Sequence, residues 1–182
     1  NHQGVVAWIS LIEFQSISNI LPSAFEKGED PFIIMLDSVS DVRNFGAIVR
    51  TAECFGAHAI IIPEKGSARI TADAIKTSAG ALHTFPVCRE KSLVRTAEYL
   101  KNSGLKVICA DEKKGENLFN VPMTGPLAVV LGSEDKGISR ELQSMADETV
   151  AIPMTGRTGS LNVSVASGIL FYEITRQRSL KK

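Results

Sequence analysis

The stretch PFIIMLDSVSDVRNFGAIVRTAECFGAHAIIIP, residues 31–63, decides the fold. It opens on a run of apolar residues, PFIIMLD at 31–37, and closes on another, HAIIIP at 58–63. A strand that is apolar on both faces must be covered on both faces, which is the environment of a parallel strand inside an α/β sheet. Between the runs, Ile48, Ala52 and Phe55 recur at helical spacing over 45–55, and Gly56 stands where a helix end favours glycine. Strand, helix and strand in so short a span form the repeating unit of a parallel sheet covered by helices.

Outward from that unit the alternation continues. Short Ile- and Val-rich runs, LKVICA at 105–110, PLAVVLG at 126–132 and TVAIP at 149–153, read as further strands. Helical patterns occupy 72–80, 92–102, 139–145 and 161–178, and residues 11–31 read as a partly helical lead-in ending in a polar turn. At 182 residues the chain has one domain's length, enough to bury roughly 70% of its unfolded surface without a disulfide or metal staple. Cys54, Cys88 and Cys109 stand far apart and form no CxxC pair, which fits a reducing, cytoplasmic setting. No apolar run reaches the roughly 20 residues of a membrane span. Twenty basic and twenty acidic residues cancel, so a nucleic-acid partner has to be met by local patches. The chain opens on NHQGVVAW in mid-pattern, and the expectation is a piece of a longer chain.

Three stretches carry candidate chemistry. In the first, Arg50 is turned about 200° from Ile48 and shares its side with the small residues Ala47, Thr51 and Cys54. It reads either as a surface arginine paired with Glu53 or Glu98, or as a cation lying over a cleft. Asn44 sits at the helix start, where its structural role is an N-cap. In the second, GSEDKGIS at 132–139 has the glycine spacing of a phosphate loop, but Ile138 replaces its lysine and Glu134 and Asp135 place negative charge where phosphates lie. An NTPase is disfavoured. The loop is either an ordinary βα turn or a site for a neutral or cationic ligand at a strand's carboxyl end. In the third, IPMTGRTGSLNVSVASGILFYEITRQR at 152–178, Ser160 is placed to cap a helix with Asn162 in its first turn. Ser164, Ala166, Ser167 and Gly168 permit very close packing, in the core or at a subunit interface. His2, His58 and His83 have no ligand spacing, so no metal is expected. Arg176, Arg178, Lys181 and Lys182 read as a phosphate patch or as a solvated terminus.

In this order the three stretches resemble the signature motifs of the SpoU (TrmH-type) branch of the SPOUT RNA methyltransferases, and are most similar to its rRNA guanosine 2′-O-methyltransferases of the RlmB type. The resemblance runs from residue 31 to about 178, and HQGVVA at 2–7 is similar to the end of that type's small RNA-recognition domain. It implies an α/β parallel sheet flanked by helices with a C-terminal deep trefoil knot. Residues 1–30 would be a linker and remnant of the recognition domain, and 31–182 the catalytic domain. It implies S-adenosylmethionine as cofactor, an RNA substrate, rRNA first, and a homodimer with shared active sites. Carried over by position, the catalytic-motif residues fall on Asn44, Arg50, Glu134, Ser160 and Asn162. The cofactor contacts fall on Ser78, Ala79, Gly80, Leu131, Gly132, Ser133, Ile152, Met154, Ser160 and Leu161. Many relatives carry glutamate just before the Ser-Leu-Asn, where this chain has Gly159, which points away from the tRNA enzymes.

Overall fold

The computed structural model describes residues 11–180, so the opening HQGVVA, His2, Lys181 and Lys182 lie outside the described residues. Seven strands form one sheet: β1 (Phe32–Asp37), β2 (Ala59–Pro63), β3 (Val87–Glu90), β4 (Lys106–Ala110), β5 (Glu116–Asn117), β6 (Leu127–Gly132) and β7 (Glu148–Ala151). All pairings are parallel, in the order β3-β2-β1-β6-β4-β7-β5. Six helices accompany them: α1 (Ile17–Glu26), α2 (Val42–Cys54), α3 (Ala72–Thr77), α4 (Leu93–Asn102), α5 (Arg140–Met145) and α6 (Val163–Ser179).

Alternation along the buried strands feeds two cores. Ile34, Leu36, Ile60 and Val129 point to one face, where they meet Phe45, Ile48 and Val49 of α2 and Leu170, Phe171 and Ile174 of α6. Ile33, Met35, Ile61 and Val130 point to the other, under Leu21 of α1, Ala97 and Leu100 of α4 and Leu142 of α5. Both faces are dry, which is why β1 and β6 are apolar throughout rather than alternating. The expected strands at 31–37, 58–63, 105–110, 126–132 and 149–153 are all present. The sequence reading passes over β3, a four-residue strand buried only in its first half, and β5, two exposed residues at the sheet edge. Both are too short to carry a period.

The order places β6 between β1 and β4, with β7 one strand further out. Because α6 packs on the same core as α2, the chain leaving β7 returns across the carboxyl ends of β4 and β6 before the helix begins. At the opposite edge of the sheet, Arg178 of α6 donates to the carbonyls of Asp30, Pro31 and Gly125, and Gln177 accepts from Met123 N at 2.7 Å and donates to Val121 O at 3.1 Å. Arg176 bonds Glu173 at 2.7 Å through both Nε and Nη2. The phosphate-patch reading is therefore corrected for this pair: Arg176 and Arg178 are committed to the chain's own groups.

Candidate functional site

The site is assembled where three connections meet over the carboxyl ends of the strands. After β1, Asp41 caps α2 by accepting from Asn44 N at 2.7 Å, which corrects the expected cap at Asn44 and frees that side chain. After β6, the loop 132–139 is pinned from below by Asp37 at the end of β1. Its carboxylate Oδ2 accepts from Ser139 N at 2.7 Å, and its carbonyl accepts from Ser133 N at 3.1 Å. Ser38, at φ 60, holds the left-handed turn beside it and donates to Asp37 Oδ1 at 3.2 Å. Gly132 is required by contact: an added Cβ would lie 2.2 Å from the backbone carbon of Gly137. Ile138, found where a phosphate loop carries lysine, is a buried residue of the core under α4 and α5.

The third connection, after β7, enters α6 through Asn162. Its Oδ1 accepts from Ser164 N at 3.0 Å and Val165 N at 3.4 Å, so Asn162 and not Ser160 is the N-cap. Asparagine suits this position because its amide also donates. Asn162 Nδ2 reaches Asn44 Oδ1 at 3.0 Å and Glu134 Oε1 at 2.6 Å. Glu134 Oε1 also accepts from Asn44 Nδ2 at 3.2 Å and Val163 N at 3.3 Å. One residue from each of the three motifs thus enters a single hydrogen-bonded junction, across separations of up to 118 positions in the chain.

Beside the junction lies a cavity of about 360 Å³, in the size range of small-molecule sites. Of the expected cofactor residues, Leu131, Gly132, Ser133, Ile152, Met154, Ser160 and Leu161 line it. Ser78, Ala79 and Gly80 do not. Ser78 is fully buried, donates to Ile75 O and accepts from Leu82 N, while Ala79 and Gly80 turn the chain at positive φ after α3. Arg50 is exposed on α2 and, among the described residues, has no hydrogen-bond or ion-pair partner. Neither Glu53 nor Glu98 pairs with it, and it is not among the hydrogen-bonded members of the Asn44–Glu134–Asn162 junction.

Sequence reading missed the wall formed by residues 110–114 after β4. Asp111 is fixed there by accepting from Lys113 N at 2.9 Å and Gln143 Nε2 at 2.9 Å. The only signal was its place at a strand's carboxyl end. Cys109, just below, is not a nucleophile. Burial, aided by the charges of Asp111 and Asp37, pushes its thiol up to about 12. Among the described residues no group of three His, Cys, Asp or Glu side chains is placed to hold a metal ion, and no helix is long and apolar enough to cross a membrane.

On the outer side of α6, Val165, Ile169 and Tyr172 form an apolar stripe 51%, 38% and 58% exposed. Towards α2 an added Cβ on Gly168 would lie in ordinary contact, 3.8 Å from Thr51 Cγ2, and at the edge of the stripe the Tyr172 ring meets the Phe55 ring edge to face at 6.4 Å. Of the small residues, Ser167 is buried and donates to Ser164 O, while Ser164, Ala166 and Gly168 are half-buried. The stripe is exposed apart from the contact of Tyr172 with Phe55.

Comparison with known proteins agrees with this layout. The sequence profile of the SpoU rRNA Methylase family matches residues 31–172. A Bacillus subtilis protein named as a putative TrmH family tRNA/rRNA methyltransferase, YacO, is 40% identical over 178 residues, covering 98% of this chain and 72% of that protein. The 23S rRNA (guanosine-2′-O-)-methyltransferase RlmB of Yersinia pestis is 39% identical over 180 residues, covering 99% and 73%. The crystal structure of the SpoU methyltransferase AviRb from Streptomyces viridochromogenes in complex with S-adenosylmethionine superposes with a TM-score of 0.74 at 28% identity, covering 81% of this chain and 58% of that one. The chain spans about half to three quarters of the length of the curated relatives it matches.

Proposed function

This chain belongs to the SpoU rRNA methylase family, and on that premise we propose that it methylates a ribose 2′-hydroxyl of RNA with S-adenosylmethionine, on a guanosine of large-subunit rRNA. The observation that carries the reading is the junction of Asn44, Glu134 and Asn162 beside a cavity that Glu134 itself lines. It ties all three motif connections together through side-chain hydrogen bonds.

The residues present fit the cofactor. Leu131, Ile138, Ile152, Leu161 and Leu170 offer an apolar slot for a flat base, and Glu134, Asp135 and Asp111 stand at the polar side, where a cationic group is stabilised. Lys114 and Arg140 lie on the same wall and suit a carboxylate. When bound, the cofactor supplies an electrophilic methyl on a sulfonium. The chain's task is then alignment of a ribose hydroxyl, which is what a pre-built junction does best. The trefoil knot belongs to the same proposal, supported by the insertion of β6 between β1 and β4 and the return of the chain over their ends.

Arg50 is proposed to act as a cation, stabilising the developing alkoxide or gripping a neighbouring phosphate, since guanidinium does not give up its proton. Its exposure on α2 with no partner among the described residues, together with the exposed stripe of Val165, Ile169 and Tyr172 on α6, supports a shared active site in which a second copy would receive Arg50. A tRNA substrate is the alternative, favoured by the dual naming of the Bacillus subtilis relative and opposed by Gly159.

The test is calorimetric titration with S-adenosylmethionine and S-adenosylhomocysteine, with the oligomeric mass read on the same sample. The expected result is one site per chain in a dimer. A folded dimer that binds neither would refute the enzymatic reading in favour of a binding module, and a monomer that binds would refute the shared site.

A further inference from the structure

A separate cavity of about 450 Å³ lies on the same carboxyl edge of the sheet, beyond β2 and β3 on the face covered by α1 and α4. Two helix starts open into it, Ser16 to Ser18 at α1 and Ser92 at α4, because residue 15 pairs in parallel with Cys88 of β3 and so carries α1 to the same edge. The first turns of these ten-residue helices leave N–H groups without intrahelical partners.

Three cations line the same space, Arg89, Lys91 and Arg95. Among the described residues none of them has an ion pair or a side-chain hydrogen bond. Arg89 is oriented instead by stacking, its guanidinium carbon 3.8 Å from the centroid of the Phe14 ring. Glu64 and Glu90 line the same space, and neither forms an ion pair with these cations. Burial, and then the charge of Glu64, raise the Glu90 carboxyl above its ordinary value. Tyr99, 37% exposed, completes the wall.

We propose that this cavity is a phosphodiester subsite for the RNA strand, with Lys91, Arg95 and the two helix starts on a phosphate and Tyr99 under an adjacent base. This rests on the RNA methyltransferase reading above. Uncommitted cations beside free N–H groups are phosphate chemistry, and a half-exposed aromatic ring is a stacking platform for single-stranded bases. Placement agrees. Three strand spacings separate the β2–β3 ends from the β6–β4 ends, about 14 Å, or roughly four stacked nucleotides. One strand laid along the carboxyl edge reaches both cavities. In a chain with no net charge, it is local sites of this kind that must hold the RNA.

The test combines three titrations of this chain. Amide shifts are followed by NMR with a 12-nucleotide single-stranded RNA and, separately, with inorganic phosphate. RNA affinity is measured over a salt series for the parent and for Lys91→Glu/Arg95→Glu. S-adenosylhomocysteine affinity is measured for both. The expected result is RNA-induced shifts at Ser18, Leu93 and Val94, a loss of about tenfold or more in RNA affinity in the variant, and a salt slope lower by about 1.4 for two lost single-strand contacts. Cofactor affinity stays unchanged. RNA binding with those amides still and the slope intact overturns the subsite and leaves the methyltransferase reading standing. Shifts with phosphate alone overturn it in favour of a small-anion site. A parent that binds S-adenosylhomocysteine but no RNA overturns both the subsite and the RNA half of the function. Should the reversed variant fail to fold, Lys91→Gln/Arg95→Gln must lower the slope in the same direction.

Discussion

Replacing Glu134 by alanine removes one acceptor atom from three donors. Oε1 receives Asn162 Nδ2 at 2.6 Å, Asn44 Nδ2 at 3.2 Å and Val163 N at 3.3 Å, so the change unties the loop 132–139 from both α2 and α6. Hydrogen bonds to a charged acceptor are worth up to about 3 kcal/mol when buried, but this junction is open to solvent and water replaces much of each one. Counting the short bond at about 1 kcal/mol and the two long ones at about 0.5 each gives about 2 kcal/mol. The loop keeps its footing on Asp37 through Ser133 N and Ser139 N, so the loss should appear in ligand binding more than in global unfolding. That corresponds to an S-adenosylhomocysteine affinity weaker by about 30-fold. Glu134→Gln retains an oxygen for the same donors and should stay within about fivefold of the parent. Calorimetry on both variants decides. An alanine variant within twofold of the parent would refute the tether, and a glutamine variant as weak as alanine would show that charge, not tethering, is what Glu134 contributes.

Glycines in the same region should separate cleanly: Gly132→Ala drives a Cβ to 2.2 Å from the Gly137 backbone and should abolish cofactor binding in calorimetry, whereas Gly159→Ala meets nothing within 4 Å and should leave it unchanged. Gly46→Ala improves helix propensity yet puts a Cβ 2.6 Å from Ala74 O, so chemical denaturation should show a loss of about 1–3 kcal/mol; a gain would refute the close α2–α3 contact. In the folded chain a thiol reagent at pH 8 should label Cys54 alone, because Cys88 and Cys109 are buried with thiols pushed up to about 12; labelling of either without unfolding, read by mass spectrometry, would contradict the core described here.

Legibility in the sequence followed the range of each interaction. The strands at 31–37, 58–63 and 126–132 announce themselves because a strand dry on both faces can only be a continuous apolar run. The α2 helix shows its core face through Ile48 and Ala52, and Gly56 marks its end at φ 67. Capping was read less well. Asn44 and Ser160 are chemically suited to cap, but Asp41 and Asn162 take those places, because only a contact distant in sequence reveals that Asn44 and the amide of Asn162 are needed elsewhere. Likewise the wall at 110–114 carries no motif; it matters because β4 ends beside β6.

By itself, then, the sequence determined that the chain is a parallel α/β protein, since apolar runs and helical spacing are written in local periodicity, and it offered three candidate stretches whose order resembles the family's motifs. Only the tertiary structure decided that Glu134 is shared between Asn44 and Asn162, that Arg50 stands outside that junction, and that Arg176 and Arg178 are committed internally. The physical reason is the strand order. Placing β6 between β1 and β4 brings together side chains up to 118 positions apart, and no local pattern encodes which neighbours a sheet will supply.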